Sequence, residues 1–307
     1  MLIALGILDG QCSVPSWGLD PWGTRIPNPE LGTWNLEPGT RNLELGVMTF
    51  TTLRYTVQKK IATLTLNRLR VKNALDRLMM EEMEAAIGLA EQDRDLRALI
   101  LTGAGHDAFI SGGDLRYFQS LVTDRQVLGM LSVMRRLLGR IENLPVPVIG
   151  AINGYAIGGG TEVALACDLR IAAETASFVF RQVDIGLITA WGGGQRLQRL
   201  VGPARASRLL LLGEAISAKE ALALGLVDWV VSRPRLMSEA RAVARKIAAK
   251  PPRAIRAMKR ALVQGREMPF QKGLSLEAKL FRSLWKSKEH DEAVAAILEK
   301  RGPQLSN

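Results

Sequence analysis

Apolar segments of strand length alternate with helical patterns along most of this chain, starting near residue 52. The strand candidates are TLRYTV, IATLTL, RALILT (97–102), VPVIGAIN (146–153) and DLRIAA (168–173). Between them, residues 76–92 and 124–143 space their apolar side chains as helices do, and Asp76 is suited to cap the first helix. Apolar strands that alternate with helices are typical of α/β proteins with buried sheets. The sequence therefore predicts an α/β fold.

The two ends of the chain differ from this central part. Residues 1–47 are rich in Gly, Pro, Trp and Asn and contain the near repeat GTWNLEP–GTRNLEL, with no sustained helical or strand period. We interpret 1–47 as a disordered or non-native extension, for example from a start site assigned too far upstream. Residues 48–202 are predicted to form the core with the functional site. Residues 203–307, almost wholly helical in pattern, are predicted to complete the domain and to mediate oligomerisation.

Composition limits the class of protein. Hydrophobic residues make up 47% of the 307 residues, yet no continuous apolar run reaches the length of a membrane span. No cation precedes the apolar first residues, so a secretory signal is not expected. The two cysteines, Cys12 and Cys167, indicate neither a disulfide framework nor a metal site, and we expect a cytoplasmic protein.

The net charge of +11 permits several kinds of ligand. A basic protein can attract nucleic acid, an acidic membrane surface or a small molecule with several phosphate groups. Charge alone does not choose among these.

Two glycine-rich motifs carry the candidate chemistry. Phe109–Leu115 reads FISGGDL and follows a strand, and Asn153–Glu162 reads NGYAIGGGTE and leads from a strand into a helix. Glycines let a ligand approach the backbone closely, and free N–H groups at such turns favour a negative oxygen. Two amides that converge on one point would form an oxyanion hole. Either motif alone would be weak evidence, because glycines after a strand are usually plain turns.

Further segments accompany these motifs in a fixed order: NRLRVKNAL, GAGHDAFISGGDL, PVPVIGAINGYAIGGGTEVALACDLRIA, GGGQRL, ARASRLLLLGEAISAKEALALGLVD and EAVAAILEKRGP. With them, the chain from about residue 52 to 303 resembles the enoyl-CoA hydratase/isomerase (crotonase) superfamily. The resemblance implies a spiral of stacked ββα units with a carboxy-terminal helical region, assembled as a homotrimer or a dimer of trimers. It also implies an acyl-CoA thioester substrate and no cofactor, since coenzyme A is part of the substrate.

The resemblance also implies roles for individual residues. The oxyanion amides would be those of Gly113 and Gly159, and Glu162 matches one of the two acid/base glutamates of the hydratases. Candidate coenzyme A-binding positions are Arg70, Asp114, Leu115, Arg116 and Lys300. Asp114 and Asp168 are expected to cap helices or tie loops rather than to act in catalysis.

The second hydratase glutamate is absent. It normally lies in a loop that resembles F-x-x-P-E, and alignment on Phe178 places Gln182 at that glutamate. An amide can hold water or a carbonyl but cannot exchange protons near neutral pH. The aspartate of the related dienoyl-CoA isomerases falls on Ala190, and Asp184 is a weak substitute candidate. The loop also reads Ile-Thr-Ala-Trp (188–191) where Pro-Gly is common in the family, so Trp191 is expected to reshape the acyl pocket.

Three functions remain open. The first is proton transfer on an acyl-CoA with Glu162 as the base, as an isomerase or a slow hydratase. The second is RNA binding, which one branch of the family performs through a lysine-rich first helix, but here residues 76–92 are acidic. The third is an acyl-CoA binder with lapsed catalysis. With only His106 and His290, neither a histidine triad nor a metal site is expected.

Overall fold

The structure is a computed structural model that describes residues 47–302. Apart from Val47, the predicted extension 1–47 lies outside the described residues. The strands are β1 (Val47–Thr49), β2 (Leu53–Gln58), β3 (Ile61–Leu66), β4 (Ala98–Gly103), β5 (Ala108–Ile110), β6 (Val148–Ile152), β7 (Tyr155–Ile157), β8 (Leu169–Ala173), β9 (Ser177–Val179), β10 (Ala215–Ser217) and β11 (Trp229–Val231). Within 47–302, no helix is both long and apolar enough to cross a membrane.

Eleven α-helices connect and cover these strands in the described part of the chain. They are α1 (Arg77–Gln92), α2 (Leu115–Gln119), α3 (Asp124–Asn143), α4 (Gly159–Leu165), α5 (Gly193–Val201), α6 (Pro203–Leu212), α7 (Ala218–Ala223), α8 (Leu236–Ala248), α9 (Pro252–Gly265), α10 (Phe270–Trp285) and α11 (Lys288–Leu298). The predicted cap is confirmed, because the Asp76 carboxylate accepts the Met79 N–H at 2.9 Å. The predicted helix over 124–143 is also confirmed, and it starts at a capping box formed by Thr123 and Gln126.

The strands form two sheets. The larger sheet has the order β1-β2-β3-β4-β6-β8-β11, and its strands from β3 to β11 run parallel. The smaller sheet has the order β10-β9-β7-β5. Every residue of β4 and β6 is buried, which explains why these strands read as continuous apolar runs.

Helices pack on both faces of the larger sheet. On one face lie α1 and α3, which bury Met83 and Leu137 in the main core. On the other face lies α8, whose Leu236 and Ala240 belong to a second cluster with Ile100 and Ile149. The two clusters together remove the sheet centre from water, and this burial is the main stabilising contribution to the fold.

The carboxy-terminal part contains two strands that the sequence analysis missed. Residues from 203 onwards were expected to be almost wholly helical, but β10 pairs with β9 and β11 pairs with β8. Each strand has only three residues, too few to produce a recognisable period next to helical segments. Both sheets therefore extend beyond residue 202, where the predicted core ends.

A buried ion pair attaches the carboxy-terminal helices to the core. Lys259 of α9 is only 7% exposed, and its Nζ donates to Asp168 Oδ2 at 2.6 Å and to the Val146 carbonyl at 2.9 Å. Asp168 directly precedes β8 and also accepts the Val148 N–H at 2.7 Å. The expected tying role of Asp168 is thus confirmed, with a partner from the far end of the chain.

Candidate active site

The two glycine-rich turns lie side by side. Strands β5 and β7 are parallel neighbours, so the turns that follow them begin at the same, carboxy-terminal end of the two strands. A Cβ atom added at Gly112 would lie 3.3 Å from the Ile157 carbonyl oxygen, and one added at Gly160 would collide with the Ile110 carbonyl. Only glycine permits this close approach of the two backbones.

Each turn has an N–H group that stays unpaired. Around Gly113, Leu75 donates to the Gly112 carbonyl and accepts from Asp114, both at 2.8 Å, so the Gly113 N–H is left over. Within residues 47–302, no acceptor takes the N–H of Gly113 or of Gly159. A buried or half-buried N–H group without a partner costs free energy unless a ligand accepts its hydrogen bond.

Aromatic rings lie directly against both glycines. A Cβ atom at Gly113 would collide with the ring of Phe118, and one at Gly159 would collide with the ring of Trp191. Trp191 is only 5% exposed. Its ring therefore packs against the second glycine turn, and the reshaping of an acyl pocket by Trp191 stays a prediction.

Glu162 lies in the first turn of α4 with its side chain buried. Its Oε2 accepts the N–H groups of Trp191 at 2.9 Å and Gly193 at 2.7 Å, and Oε1 accepts Nε2 of Gln182 at 3.2 Å. Burial raises the pKa of Glu162 above its ordinary value, and the hydrogen bonds from Gly193 and Trp191 partly offset this rise. The result is a carboxyl group that is buried yet held in one orientation.

Gln182 faces Glu162 directly. The sequence analysis expected this residue at the position of a second glutamate, and its Nε2 donates to the Glu162 carboxylate. Its own Oε1 is buried without a hydrogen-bond partner among the described residues. Asp184, the substitute candidate, instead pairs with Arg181 at 3.5 Å on the surface.

The loop that binds Glu162 is held by residues that the sequence analysis missed. Arg196 of α5 donates from Nη1 to the Trp191 carbonyl at 2.9 Å. Its Nη2 pairs with Glu142 at 3.0 Å, and Arg266 pairs with the other oxygen of Glu142 at 3.0 Å. Arg196 lies in the GGGQRL segment that the sequence analysis quoted. Its partner Glu142 lies 54 residues earlier in the chain, so no local pattern indicated their contact.

The remaining predicted site residues lie nearby or on the surface. Asp114 caps α2 and pairs with Arg68 at 3.1 Å, so its expected capping role is confirmed. Leu115 is 62% exposed at the start of α2, beside the exposed Arg116. Arg70 lies in the loop whose Val71 and Lys72 carbonyls accept the hydroxyl and N–H of Ser111, next to the first glycine turn.

Lys300 is exposed after α11. Within 47–302, no carboxylate lies within 4.0 Å of the charged groups of Arg70, Arg116 or Lys300. These three cations are thus free to meet an anion.

The site has no arrangement suited to a metal. Across residues 47–302, no group of three or more His, Cys, Asp and Glu side chains is placed to hold an ion. Cys167 is fully buried, and burial raises the pKa of its thiol to about 12, so it is neither a thiolate ligand nor a nucleophile at neutral pH.

Known proteins are similar to this chain over nearly all of the described residues. The family model for enoyl-CoA hydratase/isomerase matches residues 56–307. The short-chain-enoyl-CoA hydratase of Clostridium acetobutylicum is 37% identical over 243 residues, which cover 79% of this chain and 92% of that protein. The crotonyl-CoA hydratase of Syntrophomonas wolfei is 36% identical over 245 residues, covering 80% of this chain and 94% of that protein.

Solved structures of enoyl-CoA hydratases have a similar fold. The enoyl-CoA hydratase of Bacillus anthracis superposes with a TM-score of 0.78 at 38% identity, covering 85% of this chain and 98% of that one. An enoyl-CoA hydratase of Geobacillus kaustophilus superposes with a TM-score of 0.82 at 30% identity, covering 85% and 99%. The predicted crotonase-like α/β fold is thereby confirmed. The chain is an enzyme of the enoyl-CoA hydratase/isomerase (crotonase) family.

Proposed function

We propose that this enzyme moves a proton next to the thioester carbonyl of an acyl-CoA, with Glu162 as the single acid/base. The observation that carries the proposal is a lone buried carboxylate in the helix that opens at one of two adjacent glycine turns. Glu162 removes a proton from the carbon chain, and the electrons pass into the thioester carbonyl. Return of the proton to another carbon shifts the double bond, which needs only one base.

The N–H groups of Gly113 and Gly159 would receive the enolate oxygen. Both lack an acceptor among the described residues, and each turn excludes a side chain at that position. Fixed donors aimed at a developing negative charge need no reorganisation during the reaction.

Gln182 would serve both protonation states of Glu162. Its Nε2 donates to the carboxylate, and rotation of the amide would let Oε1 accept the proton of the neutral acid. The weakest of the three bonds to Glu162 is this one, at 3.2 Å, so it is the one that substrate would replace. Gln182 thus orients the base but cannot act as a second acid.

Hydration is the second candidate reaction. Relatives of this chain carry the names short-chain-enoyl-CoA hydratase and crotonyl-CoA hydratase. The unpartnered Oε1 of Gln182 could accept a hydrogen bond from the attacking water. Glu162 would then have to perform both proton transfers, and we expect a slow hydratase.

The substrate would be bound through its coenzyme A moiety. Arg70, Arg116 and Lys300 offer unpaired cations for its phosphates, and Leu115 offers exposed apolar surface at the start of α2. Asp114 supports this loop through its cap and its pair with Arg68. No cofactor beyond the substrate's own coenzyme A is required.

The experiment is a comparison of two reactions with the purified protein. Hydration of crotonyl-CoA and isomerisation of a 3-enoyl-CoA are measured for the native enzyme, Glu162→Gln and Asp184→Asn. Asp184 is a nearby carboxylate without contact to Glu162, so its variant is the matched control. Loss of both activities only in Glu162→Gln supports the proposal. Rapid hydration that survives Glu162→Gln would contradict it.

The other open functions have less support. Glu84 and Glu91 of α1 are paired with Arg136 and Arg140 of α3, so this helix presents no cationic surface to RNA. A lapsed acyl-CoA binder would bind a thioester tightly without turnover of any substrate in the same assays.

We also propose that the chain assembles as a homotrimer or a dimer of trimers through its carboxy-terminal helices. Phe270 and Phe281 of α10 are 76% and 61% exposed, and Ile297 of α11 is 76% exposed. Exposed apolar side chains of this size indicate a protein interface. Light scattering coupled to size-exclusion chromatography would give the mass, and a monomer would refute the assembly.

A further inference from the structure

One half of the larger sheet is not covered by a helix on its outer face. On the other half of this face, α8 covers β4, β6 and β8, whose Ile100 and Ile149 are apolar. Towards β2 and β3 the same face carries Arg54, Thr63 and Thr65 instead. The sheet and the side of α8 enclose an open cleft with a volume of about 1500 Å³.

The cleft is lined by cations without any acid. Its charged lining residues are Arg54, Lys59, Lys60, Arg233, Arg241 and Arg245, with His106 at one end. Within residues 47–302, no carboxylate lies within 4.0 Å of the four arginines among them. On the opposite face of the sheet, by contrast, Arg136 and Arg140 are neutralised by glutamates. Among the described residues, the charge of these four arginines is therefore not balanced by a contacting carboxylate.

The turn between β2 and β3 adds to this charge in an unusual backbone conformation. Lys59 and Lys60 have φ angles of 48° and 64°, in the left-handed region. A two-residue hairpin turn of this type normally uses Asn-Gly, which adopts positive φ at lower cost. Here the chain places two long cations at the end of the cleft instead, and a strained position of this kind is often tied to function.

The floor of the cleft supplies neutral donors. Thr56, Thr63 and Thr65 point to this face, in register across β2 and β3, beside Arg54. Thr56 is paired directly with Thr63, and Arg54 with Thr65. Arg241 and Arg245 face them from one side of α8, separated by a single helical turn.

We propose that this cleft binds a small anion that carries two or more phosphate groups. Guanidinium groups and hydroxyls are the donors that phosphate oxygens prefer. The lining contains no Phe, Tyr or Trp on which unpaired bases could stack, which disfavours single-stranded nucleic acid. The cleft lining includes none of the residues assigned to the proposed acyl-CoA site, so we treat it as a second site.

The test is a calorimetric titration of the full-length protein with inorganic tripolyphosphate at low ionic strength. The cleft variant is Arg241→Gln with Arg245→Gln. The matched control is Lys246→Gln with Lys250→Gln, which removes the same charge from the last turn of α8 and the segment just after it, outside the cleft lining. A third variant, Arg70→Gln with Arg116→Gln, reports on binding at the acyl-CoA site.

We expect the cleft variant to weaken tripolyphosphate binding by about tenfold or more, and the Lys246→Gln with Lys250→Gln control by less than about twofold. Arg70→Gln with Arg116→Gln should leave the binding step that the cleft variant removes. Equal weakening in the cleft variant and in the Lys246→Gln with Lys250→Gln control would mean a general effect of charge and would overturn the proposal. So would loss only in Arg70→Gln with Arg116→Gln, or no binding to the native protein. Binding of single-stranded RNA without binding of tripolyphosphate would overturn the ligand class. None of these readouts depends on turnover, so failure here leaves the proposed function untouched.

Discussion

Gln182 donates a hydrogen bond from its amide nitrogen to Oε1 of Glu162, at 3.2 Å. The group that faces the buried Glu162 carboxylate is therefore a neutral amide in direct contact with it. This contact orients Glu162 without adding a charge beside it. It is the structural basis for proposing proton transfer with one base.

Gln182→Glu should increase hydration of crotonyl-CoA. The new carboxyl group would face Glu162 and could supply the second proton transfer, which is typically worth about 10²–10⁴ in rate. Because two carboxyl groups in contact cannot both ionise easily, the pH optimum should also move upwards. Hydration rates of the two proteins across pH measure this. Gln182→Ala is the control, since it removes the amide without adding an acid. No gain in the Glu variant would count against the assignment of this loop.

The rate should fall as the pH decreases through the raised pKa of Glu162. The base must be ionised, and burial raises the pKa of Glu162, with partial opposition from the Gly193 and Trp191 amides. Activity is therefore expected to be lost at a higher pH than that of an ordinary glutamate. The pH profile of kcat/KM for a nonsticky acyl-CoA reports this value. A profile that stays flat down to the ordinary pKa range of glutamate would contradict the account.

Arg196→Gln should lower kcat by about tenfold or more while changing KM little, because positioning losses act on the chemical step. The guanidinium holds the Trp191 carbonyl at 2.9 Å, and the Trp191 amide in turn binds Glu162 at 2.9 Å. Arg199→Gln is the matched control, since among residues 47–302 the Arg199 side chain makes only an exposed pair with Glu267 at 3.6 Å. A pH profile shifted in Arg196→Gln, and partly restored in Arg196→Lys, would separate positioning from simple loss of stability. Equal effects of the two glutamine variants would refute the role.

Lys259→Met should destabilise the fold, by about 3–5 kcal/mol, because it leaves Asp168 buried without its partner. Lys259 is 7% exposed and its Nζ lies 2.6 Å from Asp168 Oδ2. The double variant Lys259→Met with Asp168→Asn should recover part of this loss, since no unpaired charge remains. Urea unfolding of the three proteins measures both effects. A double variant less stable than Lys259→Met alone would show that the ion pair is not the cause.

The sequence predicted those features whose signals are local. Asp76 precedes an apolar helical period and caps α1, and the glycine motifs at 112–113 and 158–160 mark the turns that meet. The fold class followed from strands such as β4 and β6, which are buried on both faces and therefore apolar throughout.

The remaining features depend on contacts between distant residues. Glu142 and Arg196 are 54 residues apart, and Lys259 and Asp168 are 91 apart, so neither pair leaves a local pattern. The strands β10 and β11 have three residues each and are recognisable only by their partners in the sheets. The sequence analysis singled out Gln182 by its place in the loop after Phe178, but only the structure shows its contact with Glu162.

The most direct test of the account is exchange of substrate protons with solvent. A saturated acyl-CoA is incubated in heavy water with the native enzyme, Glu162→Gln or Asp184→Asn, and deuterium beside the thioester carbonyl is measured by mass spectrometry. We predict exchange by the native enzyme and by Asp184→Asn, and a loss of about 10²–10⁴-fold in Glu162→Gln. Exchange by Glu162→Gln at the native rate would contradict the assignment of Glu162 as the base.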